Sequence, residues 1–96
     1  MSIRHEDRIL TRTETVLCEP LETGALLLDL DSGRYFELDA AGALLWQNLD
    51  GFQTPAQLAG HLAQAYGIDH ERAIEDTRAF LAQLHESGLV KPSGGV

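Results

Sequence analysis

The feature that most constrains the fold is the segment at residues 33–39, where strand-like patterns give way to helical ones. Its central residues, 34–38, are rich in aromatic and strand-favouring side chains, which suit a pleated and half-buried surface. The Asp-Ser-Gly sequence at residues 31–33 is typical of a turn, and Asp39 is a candidate helix N-cap. Residues 34–38 are therefore predicted to form the last strand of a sheet, which can leave one row of backbone groups unpaired at an edge.

Two earlier runs are also predicted to be strands. Residues 15–18 form a short apolar run, which we expect Pro20 to end because proline cannot donate to a strand ladder. Residues 25–30 are leucine-rich and compatible with a helix, but their shortness and their position between Gly24 and the turn favour a strand. With residues 34–38, this run would form a hairpin.

Three helices are predicted after Asp39, each with its own start signal. The first runs from residue 40 to about residue 49. The second starts at residues 54–57, Thr-Pro-Ala-Gln, which combine an N-cap, a proline at the first helical position and a capping box. The third has Asp69 as its cap and extends to about residue 87.

The order of three short strands and then three helices indicates an α+β fold, with a three-stranded antiparallel sheet packed on a three-helix bundle. This arrangement also resembles a winged helix-turn-helix. We expect residues 1–13 to form a flexible or irregular arm, residues 14–90 to form the domain and residues 91–96 to form a tail.

Charge and cysteine content narrow the classes of partner. The chain of 96 residues has a net charge of −8; residues 1–12 hold three arginines against two acids, or +1, which leaves −9 for the rest. An acidic body repels nucleic acid and anionic membranes and attracts basic partners. The single cysteine, Cys18, fits a reducing cytosol, and no apolar run approaches the ~20 residues of a membrane span. We therefore expect a cytoplasmic protein that binds neither nucleic acid nor membrane.

No set of residues in the sequence has a pattern typical of catalysis or metal binding. The four histidines lack the i, i+4 spacing of a helical zinc site, and there is no Cys-x-x-Cys motif. Cys18 lies in an apolar run, where a thiol is usually a small hydrophobic side chain. The glycines form neither a phosphate loop nor a dinucleotide fingerprint. We expect a protein that is not an enzyme and that needs no metal and no cofactor.

A winged-helix fold raises transcriptional regulation as an alternative function, and the charge of the third helix counts against it. Residues 69–86 hold five acids and two arginines, for a net charge of −3, whereas phosphate contacts require the opposite sign. The remaining possibility is peptide binding. An edge strand with an exposed aromatic side chain, next to an amphipathic helix, can accept a peptide as an added strand.

An ordered set of short motifs along residues 16–90 resembles the PqqD-like family. The matching positions are Gly24-Ala25-Leu26-Leu27-Leu28-Asp29, Gly33-Arg34-Tyr35-Phe36-Glu37-Leu38-Asp39, Leu45-Trp46, Asp50-Gly51, Leu58, Leu62, Tyr66-Gly67, Asp76, Phe80-Leu81, Leu84 and Gly88-Leu89. The resemblance implies a three-stranded sheet with three helices and a non-catalytic function. Members of this family bind the leader of a ribosomally made precursor peptide as an added strand, along the third strand and beside the third helix.

Within the family, residues 69–76 look most like the stand-alone recognition proteins of split lasso-peptide systems. The resemblance implies a leader peptidase and a cyclase as further partners. A peptide chaperone of PQQ biosynthesis is the alternative, although the chain lacks the Pro-Glu pair and the C-terminal tryptophan associated with that branch.

Nine residues are predicted to form the peptide-binding site, with the peptide antiparallel to the third strand. They are Arg34, Tyr35, Phe36, Glu37 and Leu38 on the strand, and Ala73, Asp76, Thr77 and Phe80 on the third helix. The helix positions share one face, and an alternative is that this whole face is core. Thr77 stands where the family usually has Val or Ile, so a more polar groove wall is expected there. Asp76 is predicted to contact a basic side chain or a backbone N–H of the leader.

Overall fold

The computed structural model describes residues 8–93. The strands are β1 (Leu10–Arg12), β2 (Val16–Leu21), β3 (Gly24–Asp29), β4 (Tyr35–Asp39) and β5 (Val90–Pro92), and the helices are α1 (Ala40–Gln47), α2 (Pro55–Tyr66) and α3 (His70–Glu86). Strands β2, β3 and β4 form an antiparallel sheet in that order. The predicted antiparallel sheet and the three helices that follow it are confirmed.

Pro20 lies inside β2 rather than at its end, which corrects the prediction for this strand. The N–H of Leu30 donates to the carbonyl of Thr15 over 2.9 Å, and the side of bonding alternates along an antiparallel pair. It follows that Val16, Cys18 and Pro20 direct their backbone nitrogens away from β3. Pro20 therefore has no ladder bond to lose.

A second, two-stranded sheet joins the two ends of the described chain. Strand β1 pairs antiparallel with β5, and the N–H of Ser93 donates to the carbonyl of Ile9 over 2.9 Å. Residues 10–12 of the expected arm and residues 91–92 of the expected tail thus lie in paired strands. Strands of three residues are too short to show a periodic pattern. The rest of the predicted arm and tail, residues 1–7 and 94–96, lies outside the described residues.

The helix start signals are confirmed in two of three cases. The carboxylate of Asp39 accepts the N–H of Gly42 over 2.8 Å, at the start of α1. Thr54 and Gln57 form the complete capping box at the start of α2. Asp69 is the N-cap residue of α3 by position, but its side chain accepts no capping hydrogen bond, so its predicted capping role is wrong.

The core lies between one face of the sheet and the three helices. Its largest fully buried side chains are Trp46, Leu27, Leu49, Leu58, Leu89 and Thr77. The Arg12 guanidinium lies over the Trp46 ring at 5.7 Å, and its Nε donates to the Leu49 carbonyl over 3.1 Å. Leu89 and Val90 are buried as well. Core packing therefore fixes β5 and the C-terminal end of α3 relative to the sheet.

Candidate functional site

Strand β4 is an edge strand, paired with β3 on one side only within the described chain. The N–H of Asp29 donates to the carbonyl of Arg34 over 2.9 Å, which sets the alternation of bonding along the pair. Phe36 and Leu38 therefore direct their backbone groups to β3, opposite Leu27 and Ala25 in the register. Tyr35 and Glu37 direct theirs away from the sheet. We call these outward-facing backbone groups of Tyr35 and Glu37 the β4 edge.

The two faces of β4 differ in burial, because successive side chains of a strand point to opposite faces. Tyr35 and Glu37 are exposed on the outer face, Tyr35 by 72%. Leu38 is buried and Phe36 is half-buried on the inner face. The Arg34 guanidinium lies over the Phe36 ring at 5.1 Å, where a cation is attracted by the ring. The inner face of β4 is thus apolar, with one positive charge at its start.

A groove runs between β4 and the C-terminal half of α3. We call it the β4–α3 groove. One of its cavities has a volume of about 290 Å³ and is lined by Phe36, Glu37, Leu38, Phe80, Gln83, Leu84, Glu86, Ser87 and Leu89. A second has a volume of about 480 Å³ and is lined by Thr23, Glu37, Leu38, Asp39, Phe80 and Gln83. The shared lining residues indicate one continuous depression beside the β4 edge.

The helical wall of this groove differs from the predicted one. Ala73 and Thr77 are fully buried in the core, so neither presents a side chain to the groove surface. Phe80, one of the predicted site residues, lines both cavities, and so does Gln83, which was not among them. The more polar wall expected from Thr77 is therefore corrected, because its hydroxyl lies inside the core.

Asp76 is exposed on α3, one turn before Phe80. Positions 76, 80, 83 and 87 are separated by four, three and four residues, so they follow one stripe along the helix. The Asp76 carboxylate lies 3.9 Å from the Arg72 guanidinium, and both side chains are largely exposed. Asp76 lines neither of the two cavities and lies one turn further along the same stripe of α3. Its role as a leader contact stays a prediction.

A buried carboxylate in the turn before β4 was not singled out by the sequence. Asp29 accepts hydrogen bonds from the Ser32 hydroxyl (2.9 Å), the Asp31 N–H (3.1 Å) and the Thr15 hydroxyl (3.1 Å). The bond from Ser32 is the main cause that lowers the pKa of Asp29; burial acts in the opposite direction, and the bonds from Asp31 and Thr15 lower the pKa further. This cluster fixes the turn that leads into β4. The Asp-x-x-Ser spacing was its only signal in the sequence.

Two glycines permit close packing around the inner face of β4. A Cβ at Gly24 would lie 1.8 Å from the Leu38 carbonyl oxygen, so only glycine fits there. A Cβ at Gly42 would lie 3.2 Å from the Phe80 ring and 3.4 Å from the Leu38 Cβ. Gly42 thus allows the Phe80 ring to approach the start of α1. Sequence reasoning missed this role, because a helical glycine has no local signal for a distant contact.

Among residues 8–93, no group of three or more His, Cys, Asp or Glu side chains is placed to hold a metal ion. His61, one of the four histidines, contacts Gln53 through its Nε2 at 2.7 Å. Cys18 is an exposed free thiol on β2. No helix in this part of the chain is both long and apolar enough to span a bilayer.

A family model described as "Coenzyme PQQ synthesis protein D (PqqD)" matches residues 24–90, which are 67 of the 96 residues. The chain belongs to the PqqD family. The matched region of this PqqD-family protein begins at Gly24 and ends at Val90, so it includes both walls of the β4–α3 groove. No curated protein sequence matches the chain significantly.

Three solved structures resemble this PqqD-family protein. "TbiB1 in Complex with the TbiA(beta) Leader Peptide" has 27% identity and a TM-score of 0.77, and covers 84% of this chain and 94% of that one. "Lasso peptide synthetase B1 complexed with the leader peptide" has 28% identity and a TM-score of 0.77, over 88% and 99% of the two chains. The third is a PqqD truncation of Methylobacterium extorquens PqqCD, described as a stand-alone recognition element for ribosomally synthesized and post-translationally modified peptides (RiPPs). It has 25% identity and a TM-score of 0.72, and covers 85% of this chain and 87% of that one.

Proposed function

We propose that this protein binds the leader of a ribosomally made precursor peptide without catalysing a reaction on it. The leader adds as a strand antiparallel to β4 and lies in the β4–α3 groove. The protein then presents the precursor to a leader peptidase and a cyclase in the cytoplasm. Two relatives of similar length and fold were solved with leader peptides, which supports this assignment.

The single observation that carries the proposal is an open strand edge beside a groove whose lining combines apolar side chains of β4 and α3 with polar ones at its rim. The β4 edge offers N–H and C=O groups of Tyr35 and Glu37 for main-chain pairing. The groove beside it is lined by Phe36, Leu38 and Phe80, which can receive alternate apolar side chains of an added strand. Main-chain bonds supply affinity in this mode of recognition, and side-chain pockets supply specificity.

Lasso-peptide maturation is the favoured system. Both leader complexes among the similar structures have a TM-score of 0.77, and one is named a lasso peptide synthetase B1. A role in PQQ synthesis is the second candidate, because the family model carries that description. The identity of the precursor whose leader binds separates the two.

A winged-helix regulator of transcription is disfavoured. In a winged helix-turn-helix arrangement α3 would approach DNA, but residues 69–86 have a net charge of −3. Glu71, Glu75 and Asp76 are all exposed on α3, so their charges would repel phosphate. Duplex DNA is therefore a useful negative control for peptide binding.

The test is amide hydrogen exchange, measured with and without a synthetic leader peptide such as the TbiA(beta) leader of a similar structure. Binding is expected to slow exchange at the N–H groups of Tyr35 and Glu37, which face away from β3. The N–H groups of Phe36 and Leu38 already bond to β3, so their protection changes little. Slowing that is absent at both Tyr35 and Glu37, although the peptide binds, would show that strand addition to β4 is wrong.

A further inference from the structure

On the outer face of the sheet, two rows have a side chain on each of the three strands and end at the β4 edge. In the register of the three strands, Leu17, Leu28 and Tyr35 lie in one row. Glu19, Leu26 and Glu37 lie in the neighbouring row. The first row is wholly apolar or aromatic, and the second has a carboxylate on each edge strand. An added strand extends both rows by one residue.

The carboxylate of Glu37 has no cationic partner among residues 8–93. The ion pairs there join Arg72 to Asp76 and Lys91 to Glu14, and Glu37 forms neither. Its cross-strand neighbour on β3 is Leu26, which offers no charge. Glu37 is exposed and on the strand whose backbone is open. The position opposite Glu37 is thus the one place in this row where an added strand can bring an opposite charge.

We propose that Glu37 selects a lysine or arginine at the leader position directly opposite it, and this proposal rests on the proposed function. Residues directly opposite one another on antiparallel strands interact, and opposite charges are favourable there. The same geometry places an apolar or aromatic leader residue opposite Tyr35, two positions later in an antiparallel leader. The residue between them points into the β4–α3 groove, against Phe36 and Phe80. The leader segment is therefore basic, then apolar, then apolar or aromatic.

The expected discrimination is modest, because Glu37 is solvent-exposed and exposed ion pairs are weak. A charge reversal at one partner is expected to weaken binding by about two- to fivefold. Reversal at both partners restores the pair and recovers most of that loss. This pattern of loss and recovery is the signature of direct contact, because a general charge effect would not depend on one peptide position.

The experiment selects binders from a displayed library of random twelve-residue peptides against the wild type, Glu37→Lys and Glu19→Lys. Glu19 lies in the same row as Glu37 but on β2, so Glu19→Lys makes the same change in net charge away from the β4 edge. Wild-type and Glu19→Lys binders are expected to share a consensus with a lysine or arginine two positions before an apolar or aromatic residue. Glu37→Lys binders are expected to have Asp or Glu at that position.

The outcomes separate this inference from the proposed function. Binders that slow exchange at Tyr35 and Glu37 but keep the same consensus with Glu37→Lys overturn the Glu37 pairing and leave strand addition intact. A consensus that shifts equally for Glu19→Lys and Glu37→Lys also overturns it, because net charge then explains the change. Binders that never protect the β4 edge overturn both proposals.

Discussion

The sheet has two edge strands, β2 and β4, and they differ in what lies beside them. On β2, the backbone groups that point away from β3 belong to Val16, Cys18 and Pro20. Pro20 has no N–H, so this outward row of backbone donors lacks one member. Leu17, Cys18, Glu19 and Pro20 are all exposed, so this part of β2 has solvent on both faces. On β4, the outward row is complete at Tyr35 and Glu37, and the β4–α3 groove lies alongside. We therefore expect an added strand at the β4 edge rather than at β2, because β4 combines a complete outward row with a groove lined by Phe36, Leu38 and Phe80.

The difference also explains how β2 avoids unwanted pairing. Edge strands are templates for added strands, and proline on the outward row is one way in which proteins block this. Pro20 occupies such a position, opposite Ala25 in the register. The β2 edge of the sheet is thus blocked against an added strand at Pro20, whereas the β4 edge is open to one.

The largest expected effect comes from filling the groove that distinguishes β4 from β2. Gln83 is exposed and lines both cavities, so Gln83→Trp is expected to occupy the space of an apolar leader side chain. Burial of one such side chain contributes roughly 1.5–3 kcal/mol, so leader affinity should fall roughly 10- to 150-fold. Affinity is measured by calorimetry and stability by thermal unfolding.

Ala82→Trp is the matched control for Gln83→Trp. Ala82 is exposed on the adjacent position of α3 but lies about 100° around the helix, on the solvent side. Leader affinity and melting temperature should both stay near wild type for this control. Ala73→Trp provides the contrast, because Ala73 is fully buried and overpacking costs about 1–3 kcal/mol of stability. Equal affinity of Gln83→Trp and wild type would contradict the groove assignment.

The second prediction compares the two edges directly by removing one outward N–H from each. Glu37→Pro removes a donor from the β4 edge, and Cys18→Pro removes one from the outward row of β2. One lost hydrogen bond of about 0.5–1.5 kcal/mol should weaken leader binding by about two- to tenfold in Glu37→Pro relative to Glu37→Ala, which also lacks the carboxylate but keeps the N–H, whereas Cys18→Pro should bind like wild type. Melting temperatures should fall little in either variant, since neither N–H bonds within the sheet. Phe36→Pro is unsuitable, because the Phe36 N–H bonds to β3.

Equal loss of affinity in Glu37→Pro and Cys18→Pro would argue that the leader does not distinguish the edges. Loss in Cys18→Pro alone would place the leader on β2. Competition with unlabelled leader at each protein concentration checks that the measured binding is specific.

The sequence predicted the fold correctly where one residue type determines the local backbone conformation by itself. Three features needed no information on tertiary contacts. They are the cap at Asp39, the capping box at Thr54 and Gln57, and the alternation of side chains along β4. Pro20 was misjudged, because a proline ends a central strand but is tolerated on the outward row of an edge strand. Only the sheet order determines which of these cases applies. The pairing of β1 with β5 was missed for a related reason, since it joins segments from opposite ends of the chain.

The lining of the candidate groove was predictable on the strand and only partly on the helix. A period of two places Phe36 and Leu38 on one face whatever the surroundings, and the structure has them there. Helical spacing gives the stripe of α3 but not how the helix is rotated against β4. With 100° per residue, Ala73 lies about 20° around the helix from Phe80 and about 80° from Gln83, so a small rotation of α3 decides which of these side chains reaches the groove. The predicted wall therefore included Ala73 and Thr77 and omitted Gln83.

The third prediction tests what holds β4 in place relative to the rest of the sheet. Asp29→Asn removes the carboxylate that accepts bonds from Ser32, Asp31 and Thr15 in the turn before β4. Because the folded pKa of Asp29 lies below its ordinary value, ionised Asp29 stabilises the fold above the unfolded pKa of about 3.9. That contribution is lost as the pH falls through the lowered folded pKa.

Wild type should therefore be more stable than Asp29→Asn at pH 7, and the difference should shrink as the pH falls below about 5. Urea unfolding of both proteins across this range measures the effect. Asp31→Asn is the control, since Asp31 is exposed and contributes only its backbone N–H to the cluster. A stability difference between wild type and Asp29→Asn that does not change with pH would contradict the role of the ionised carboxylate.

The smallest expected effect concerns Asp76, where the stripe of α3 continues past the groove. Its carboxylate is exposed and has Arg72 at 3.9 Å, so its charge is already partly offset and screened by water. A contact with a basic leader side chain is then worth only about 0.2–1 kcal/mol. Asp76→Asn should weaken leader binding no more than about fivefold at low salt, with an unchanged melting temperature, and added salt should remove the difference. Glu75→Gln removes the same charge from the neighbouring exposed position, about 100° around the helix, and should leave affinity closer to wild type. Equal affinities of Asp76→Asn and wild type at low salt would limit the site to the β4 edge and the two cavities. The difference between the β2 and β4 edges would then depend on backbone pairing and apolar contact alone.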